Sequence, residues 1–180
     1  SEKYHGALLL ALQAASRIVD IVYVYTGENN RELVNKLKSE IFVWINIERC
    51  DLDATVANVD AIVIGPGLSE YDDTILMVND LVAACDKKMV VDAAALWVLD
   101  IKQLKSKILT PHTREFEHLF GCTPTADNTL AMAKKYDCVI VLKGRIDYIS
   151  DGEELYENHT GNVGMTKGGT GDVLAGLIGG

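Results

Sequence analysis

Hydrophobic and polar positions along the chain follow two alternating periods. Apolar residues fill most of Ala7–Ile18, which has the length of a helix, and Ile21–Tyr25 follows as a β-branched and aromatic run typical of a strand. The turn formers Gly27, Asn29 and Asn30 predict a loop after this strand. The first 30 residues therefore indicate one helix–strand unit.

The same alternation continues along the chain. Further helices are predicted near Arg31–Lys38, Asp53–Asn58, Asp73–Ala84, Leu130–Tyr136 and Val173–Ile178, and further strands at Ile41–Ile45, Ala61–Ile64, Met89–Val91, Ile108–Thr110 and Val139–Leu142. Short strands that alternate with helices predict an α/β fold with a mostly parallel sheet. Near the end, Asp151-Gly152 favours a tight two-residue turn between Asp147–Ser150 and Glu154–Tyr156. We therefore expect the sheet to end in a C-terminal antiparallel ribbon.

Composition narrows the class of protein. The chain has 180 residues, of which 48% are hydrophobic, and no linker or repeat divides it, so we expect residues 1–180 to form a single domain, truncated at both ends. A net charge of −9 argues against nucleic-acid binding. No apolar run reaches the roughly 18 residues that span a bilayer. Four cysteines without a C-x-x-C spacing suit reduced thiols. We expect a soluble, cytoplasmic protein.

The strongest chemical signal is a glycine-rich turn that opens the last helix. Lys167-Gly168-Gly169-Thr170-Gly171-Asp172 precedes the apolar run Val173–Ile178. Such a turn presents backbone N–H groups and the positive end of the helix dipole to an anion. Asp172, in the first helical turn, is then placed to accept a proton from a substrate hydroxyl directed at a phosphate. The alternative is an ordinary helix cap.

Other candidate residues follow predicted strands, where open α/β sheets bind ligands. Gly65-Pro66-Gly67-Leu68 offers a backbone surface, although many such turns only connect elements. His112, in Pro111–Phe116, is placed to bind substrate or move a proton, and the alternative is a helix-capping element that uses Thr113 and Glu115.

Two further strand ends carry charged side chains. Lys143-Gly144-Arg145 offers cations to a nucleotide, or is a solvated strand end. Asp92 is placed to reach a metal ion or water, or to cap the segment Ala93–Leu99. His5, His118 and His159 lack ligand spacing, so no metal-ligating residues are expected.

The ordered motifs at residues 65–68, 90–96, 109–116, 142–144 and 161–176 read G-P-G-L, V-V-D-A-x-A-L, L-T-P-H-x-x-E-F, L-K-G and G-x-x-G-M-x-x-G-G-T-G-D-V-L-A-G. In this order they resemble the ADP- or ATP-dependent NAD(P)H-hydrate dehydratase family over essentially the whole chain. The resemblance implies a ribokinase-like three-layer α/β/α sandwich. It also implies a reaction in which the terminal phosphate of ADP or ATP, with Mg²⁺, activates the hydroxyl of hydrated NADH or NADPH, so that its elimination restores the reduced dinucleotide.

Residue roles implied by this resemblance follow the matching positions. Asp172 is the base, and Gly169, Thr170 and Gly171 surround the transferring phosphoryl group. Ala7, Gly67 and His112, with the segment toward His118, hold the hydrated dinucleotide together with Asp172. The adenine nucleotide is bound by Lys143, Gly144, Arg145, Ile146, Asp147 and Gly171. The family's tendency to assemble implies a homo-oligomer.

Two other readings of the sequence stay open. A ribokinase-like kinase for a vitamin precursor or sugar shares the terminal glycine turn and Asp172, but it releases a phosphorylated product. An inactive nucleotide-binding module is favoured by Ala94, where the family often has Asp, and disfavoured by the retention of Asp172 and its glycine turn. The nature of the product separates these readings.

Overall fold

The fold was analysed in a computed structural model that describes residues 5–37, 43–68 and 72–180. The helices are α1 (His5–Ala15), α2 (Glu28–Leu37), α3 (Leu52–Asn58), α4 (Asp72–Ala84), α5 (Ala94–Val98), α6 (Thr113–Phe120), α7 (Ala126–Tyr136) and α8 (Thr170–Gly179). The strands are β1 (Ile21–Val24), β2 (Val43–Asn46), β3 (Ala61–Ile64), β4 (Lys88–Val91), β5 (Lys107–Leu109), β6 (Val139–Leu142), β7 (Asp147–Ser150) and β8 (Leu155–Asn158). Helices and strands thus alternate as the pattern of apolar residues predicts.

The central sheet has six strands in the order β3-β4-β5-β6-β7-β8. Strands β3 to β6 are parallel, whereas β7 and β8 are antiparallel to their neighbours. Strands β1 and β2 form a separate parallel pair. The prediction of a mostly parallel sheet that ends in an antiparallel ribbon is confirmed.

Helices cover both faces of the central sheet. On one face, α4 to α7 enclose the main core, in which Val78, Leu96 and Phe116 pack with Val91 and Leu109 of the sheet. The intervening Val90 points to the opposite face, because side chains alternate along a strand, and there it approaches Gly179 of α8. This arrangement is a three-layer α/β/α sandwich.

The first and last helices pack closely against each other on that second face. A Cβ atom on Gly176 of α8 would lie 2.3 Å from the carbonyl oxygen of Ala11 in α1, so only glycine allows this approach. Alanines surround the crossing, since Ala14, Ala15 and Ala175 are also buried. The helix that carries the glycine turn is therefore held against α1 through small side chains.

Two local predictions are wrong. Asn29 and Asn30 lie inside α2 rather than in a turn, and the Asn30 amide donates to Thr26 Oγ1 over 3.3 Å near the start of that helix. The hairpin has a four-residue loop at 151–154 instead of a two-residue turn, because Ser150 pairs with Leu155. In this loop, Asp151 Oδ1 accepts bonds from the backbone N–H groups of Glu153 and Glu154, both at 2.9 Å.

Element boundaries differ by a few residues elsewhere. Helix α1 ends at Ala15 rather than Ile18, and α7 begins at Ala126 rather than Leu130, since Thr125 Oγ1 accepts from the Asn128 N–H as the N-cap. Lys38, Ile41 and Phe42, which the predicted second helix and strand included, lie outside the described residues. None of the helices in the described ranges has both the length and the apolar character needed to cross a membrane.

Candidate active site

The carboxyl ends of four parallel strands meet at one edge of the central sheet. Backbone hydrogen bonds step along this edge: Asp92 N–H donates to Ile64 O over 3.0 Å, Thr110 N–H to Val91 O over 3.1 Å, and Lys143 N–H to Pro111 O over 2.8 Å. Because each segment is registered on its neighbour, the side chains that follow the strands are fixed relative to one another.

Asp92 lies at the centre of this edge and is 2% exposed. Its Oδ1 atom accepts hydrogen bonds from Thr110 Oγ1 at 2.7 Å and from Lys143 Nζ at 2.6 Å. The backbone of Asp92 is closely covered as well, since a Cβ on Gly65 would lie 1.7 Å from its carbonyl oxygen. Gly65 also has φ +124, a conformation that suits glycine. The edge therefore contains a buried carboxylate–ammonium pair.

The glycine turn places the start of α8 against this pair. Gly169 is the N-cap residue of α8 with φ 102, and Thr170 Oγ1 fastens the turn by donating to Met165 O at 2.8 Å and lying 3.1 Å from Lys167 O. A Cβ on Gly171 would lie 3.3 Å from Lys143 Nζ. The ammonium group thus lies beside the first turn of α8, whose N–H groups attract anions.

Asp172 is the third residue of α8 and is half-buried. Burial raises the pKa of its carboxyl above the usual value, the negative charge of Asp92 raises this pKa further, and the positive charge of Lys143 opposes both effects. A raised pKa makes the carboxylate a stronger proton acceptor. Because Gly169 holds the N-cap position, Asp172 is not the N-cap residue of this helix.

His112 is the N-cap residue of α6 and forms a capping box with Glu115. Its Nδ1 atom accepts from the backbone N–H groups of Arg114 at 3.1 Å and Glu115 at 3.2 Å, and Glu115 Oε2 accepts from His112 N–H at 2.8 Å. With Nδ1 accepting, the neutral ring carries its proton on Nε2. His112 therefore belongs to a capping element, as the alternative predicts, and its half-exposed ring has Nε2 3.5 Å from Glu115 Oε1.

Glu115 is buried behind His112. Burial raises the pKa of its carboxyl, whereas the backbone hydrogen bond from His112 and the charge of Lys143 lower it. The isolated bridge between His112 and Lys143 joins this cap to the end of β6. His112 and Lys143, which lie 31 residues apart in the sequence, are thus adjacent.

The segment from Lys143 to Asp147 divides into two parts. Lys143 joins Asp92, whereas Gly144 N–H donates to Asp147 Oδ1 at 3.0 Å and Asn158 donates to Asp147 Oδ2 at 3.0 Å. A Cβ on Gly161 would lie 3.0 Å from Arg145 O. Residues 144–147 therefore form a turn braced against β8 and the following loop. Arg145 is exposed and Ile146 is half-buried.

Ala7 and Gly67 lie on elements that border this cluster. Ala7 is half-buried in α1, one turn before Leu10, whose Cδ1 would be 2.4 Å from a Cβ on Gly169. Gly67, with φ 74, belongs to the turn closed by the bond from Leu68 N–H to Gly65 O at 3.0 Å. Gly67 thus lies in the turn that follows β3 at this sheet edge, and Ala7 lies on the helix that contacts the glycine turn through Leu10.

The sequence predicts Thr110 only as the end of a strand, so its contact with Asp92 is not predicted. The predicted capping role of Glu115 is confirmed. Asp92 was expected to reach a metal ion or to cap a helix, yet it pairs with Lys143. The available signal was the polar residue that directly follows each apolar strand, at Asp92 and Thr110, because such positions share one sheet edge.

The remaining histidines make local contacts. His118 Nε2 lies 3.1 Å from Trp97 O, and its ring stacks on Trp97 with centroids 4.5 Å apart. His159 Nε2 lies 2.9 Å from a carboxylate oxygen of Glu157. Within residues 5–37, 43–68 and 72–180, no group of three histidine, cysteine, aspartate or glutamate side chains is arranged to hold a metal ion.

Proteins of known structure share this fold. A ribokinase-like superfamily protein from Enterococcus faecalis superposes with a TM-score of 0.89 at 26% identity, covering 98% of this chain and 66% of that chain. The ADP/ATP-dependent NAD(P)H-hydrate dehydratase of Bacillus subtilis, co-crystallised with ATP and Mg²⁺, gives a TM-score of 0.78 at 31% identity, covering 100% and 70%. The prediction of a ribokinase-like fold is confirmed.

Sequence comparison agrees with the structural one. The bifunctional NAD(P)H-hydrate repair enzyme of Methanocaldococcus jannaschii is 36% identical over 190 aligned residues, which cover 99% of this chain and 37% of that relative. The chain thus spans little more than a third of this relative's length. The family model described as NAD(P)H-hydrate dehydratase matches residues 1–180. The chain therefore belongs to the NAD(P)H-hydrate dehydratase family.

Proposed function

We propose that the protein dehydrates hydrated NADH or NADPH to the reduced dinucleotide and consumes ADP or ATP in the reaction. Phosphate is released with AMP when ADP is the donor, or with ADP when ATP is the donor. Membership of the dehydratase family and the likeness to the Bacillus subtilis enzyme support this function. The product is a repaired cofactor, so the role is metabolite repair.

The observation that carries the proposal is the position of Asp172 in the first turn of α8, directly after the glycine turn. Its raised pKa suits a group that removes a proton from a hydroxyl, and the first turn of α8 with Lys143 Nζ beside Gly171 suits a phosphate. A proton acceptor and an anion site on one helical turn are the parts that phosphoryl transfer to a hydroxyl needs.

The proposed reaction has two steps, transfer of the phosphoryl group and then elimination of phosphate. Asp172 accepts the proton of the ring hydroxyl while the hydroxyl oxygen bonds to the terminal phosphorus, and the bond from that phosphorus to the nucleotide breaks. The ring carbon–oxygen bond then breaks and phosphate leaves with the electron pair of that bond. The adjacent carbon gives a proton to water, and its C–H electron pair forms the ring double bond. Phosphorylation is useful because phosphate is a better leaving group than hydroxide.

The two substrates are assigned to different residues around Asp172. Ala7, Gly67 and His112 are proposed to hold the hydrated dinucleotide, with His112 donating from Nε2. Lys143, the turn 144–147 and Gly169–Gly171 are proposed to hold the adenine nucleotide. In support, Gly65 and His112 lie on either side of Asp92 along the sheet edge, and Lys143, which follows the next strand, leads into the braced turn.

Mg²⁺ is part of the proposal as a companion of the nucleotide. Oδ1 of Asp92 is already engaged by Thr110 and Lys143, and Glu115 Oε2 is engaged by the cap, so the described residues suit no all-protein cage. This fits Mg²⁺ that is bound mainly through phosphates and water, with Asp172 as the nearby carboxylate. When bound, it would neutralise phosphate charge.

Three further predictions accompany this function. Residues 1–180 are proposed to act as one domain, the protein is proposed to be cytoplasmic, and it is proposed to assemble as a homo-oligomer. The unpaired state of all four cysteines supports a reducing location. Burial raises the pKa of the Cys138 thiol to about 12, so this thiol is protonated and unreactive.

The test is a product assay on the full-length protein. Hydrated NADH is supplied with Mg²⁺ and either ADP or ATP, and the near-ultraviolet absorbance of the reduced ring and free phosphate are followed together. A nucleotide-dependent rise in both, in equal amounts, supports the dehydratase and identifies the donor. Consumption of nucleotide with a stable phosphorylated product would instead identify a kinase, and binding without turnover would identify an inactive module.

A further inference from the structure

Asp92 is a buried carboxylate that the proposed mechanism does not use. It is 2% exposed, and its ion pair with Lys143 is the one in the described ranges that joins a nearly fully buried carboxylate to a lysine. Removing two charges from water costs free energy that their mutual attraction does not always repay, so a buried pair of this kind indicates a role other than stability.

The surroundings of Asp92 fix it from three sides. Thr110 Oγ1 donates to its Oδ1 at 2.7 Å, and Gly65 covers its backbone at a distance that leaves no room for a Cβ. The next residue, Ala93, has φ 50 and ψ −128, a conformation that is strained for a residue other than glycine. Strain of this kind persists where the neighbouring structure holds a group in one place.

Lys143 is the group that this rigid carboxylate orients. A free lysine side chain has four rotatable bonds, yet here Nζ lies 2.6 Å from Asp92 Oδ1 and beside Gly171 at the start of α8. An ammonium group has three donors, so one bond to Asp92 leaves donors for a phosphate at the helix start. The direction of the hydrogen bond from Lys143 Nζ to Asp92 Oδ1 determines where the remaining N–H donors of the ammonium group lie.

We propose that Asp92 is a positioning residue that holds the Lys143 ammonium at the first turn of α8, where Lys143 contacts a phosphate of the nucleotide. This rests on the proposed function for the identity of the anion as ADP or ATP. Asp92 acts through Lys143 and does not itself touch the phosphate, whose negative charge it would repel. Thr110 supports this arrangement indirectly, because its hydrogen bond fixes the Asp92 Oδ1 atom that accepts from Lys143.

The test is a double-mutant cycle read by nucleotide binding. Calorimetric titration of the full-length protein with ADP and with ATP, each with Mg²⁺, is made for wild type, Asp92→Asn, Lys143→Met and the double variant. Asp92→Asn should weaken binding about tenfold or more in the wild-type background and by less than about twofold in the Lys143→Met background. Equal losses in both backgrounds, or tighter binding by Asp92→Asn alone, would overturn the inference.

A matched pair of threonine variants keeps the test informative if Asp92→Asn does not fold. Thr110 and Thr129 are both fully buried, and each hydroxyl donates to an oxygen, Thr110 to Asp92 and Thr129 to Thr125 O at 2.8 Å. Thr110→Val should weaken nucleotide binding several-fold and lose this effect in the Lys143→Met background. Thr129→Val, on α7, should cost similar stability and leave binding unchanged. Equal binding by the two variants refutes the positioning role.

The binding readout also separates this inference from the proposed function. Binding requires no turnover, so a protein that binds nucleotide through Lys143 and Asp92 but produces no reduced dinucleotide refutes the dehydratase alone. A working dehydratase whose nucleotide affinity is insensitive to Asp92→Asn refutes the positioning role alone. A wild-type protein that binds neither ADP nor ATP refutes both.

Discussion

Asp172→Asn is the substitution that tests the site most directly. Asparagine keeps the shape of the side chain and the backbone of α8, but it has no basic oxygen that accepts a proton at neutral pH. Loss of a positioned general base lowers rates by about 10²–10⁴-fold, which corresponds to about 3–5 kcal/mol of transition-state stabilisation. We therefore expect kcat to fall within that range while the affinity for ADP or ATP changes little.

The thermal stability of Asp172→Asn should not fall with its kcat. Folding raises the pKa of Asp172, first through burial and then through the charge of Asp92. A group of this kind contributes most to stability in acid, and the contribution is lost as pH rises through the folded pKa. At neutral pH the ionised carboxylate opposes folding, so Asp172→Asn should have an unchanged or slightly higher melting temperature.

The assay combines three readings on the same preparation. Formation of the reduced ring by near-ultraviolet absorbance gives kcat, calorimetric titration gives nucleotide affinity, and thermal unfolding gives the melting temperature. Near-normal turnover in Asp172→Asn would refute its role as the base. A large fall in melting temperature would instead refute the electrostatic analysis, because it would show that the carboxylate stabilises the folded chain.

Three further predictions follow from described contacts. Lys143→Met should move the acid limb of the kcat–pH profile to higher pH, since the positive charge of Lys143 lowers the pKa of Asp172; an unmoved limb would contradict this. Gly176→Ala should cost about 1–3 kcal/mol in denaturant unfolding through overpacking, whereas Gly6→Ala, with open space around its Cβ, should be neutral or stabilising. His112→Ala should lose about 1 kcal/mol of stability with the cap and should bind substrate more weakly. His112→Asn should also bind substrate more weakly but should keep the cap. Equal melting temperatures of these two variants would argue against the cap.

The sequence allowed the order of helices and strands to be predicted because the two hydrophobic periods are clear in most segments. Errors occurred where polar side chains form local hydrogen bonds. Asn29 and Asn30 are common turn formers, yet they lie in the first turn of α2, where the Asn30 amide donates to Thr26 Oγ1. The Asp151 carboxylate supports a longer loop than its dipeptide suggests. Such choices depend on single hydrogen bonds that the pattern of apolar residues does not encode.

The candidate site was predictable in its parts but not in its pairings. A polar residue after each strand indicated that Asp92, His112 and Lys143 share one edge of the sheet. That Lys143 pairs with Asp92 depends on the register of neighbouring strands. This register is set by packing of the whole core, so it appears only in the three-dimensional structure.

The close crossing of α1 and α8 has a consequence for how the chain folds during synthesis. About 155 residues separate the end of α1 from the start of α8, and a ribosome that adds roughly 5–20 residues per second needs about 8–30 s to make them. During that interval the small-residue face of α1 lacks α8 as its partner. The glycine turn at the start of α8 reaches its place only after this interval, so a nascent chain lacks the proposed anion site until α1 and α8 meet. Pulse-labelled ribosome-bound chains that stop before α8 should accordingly be more sensitive to protease within α1 than released chains.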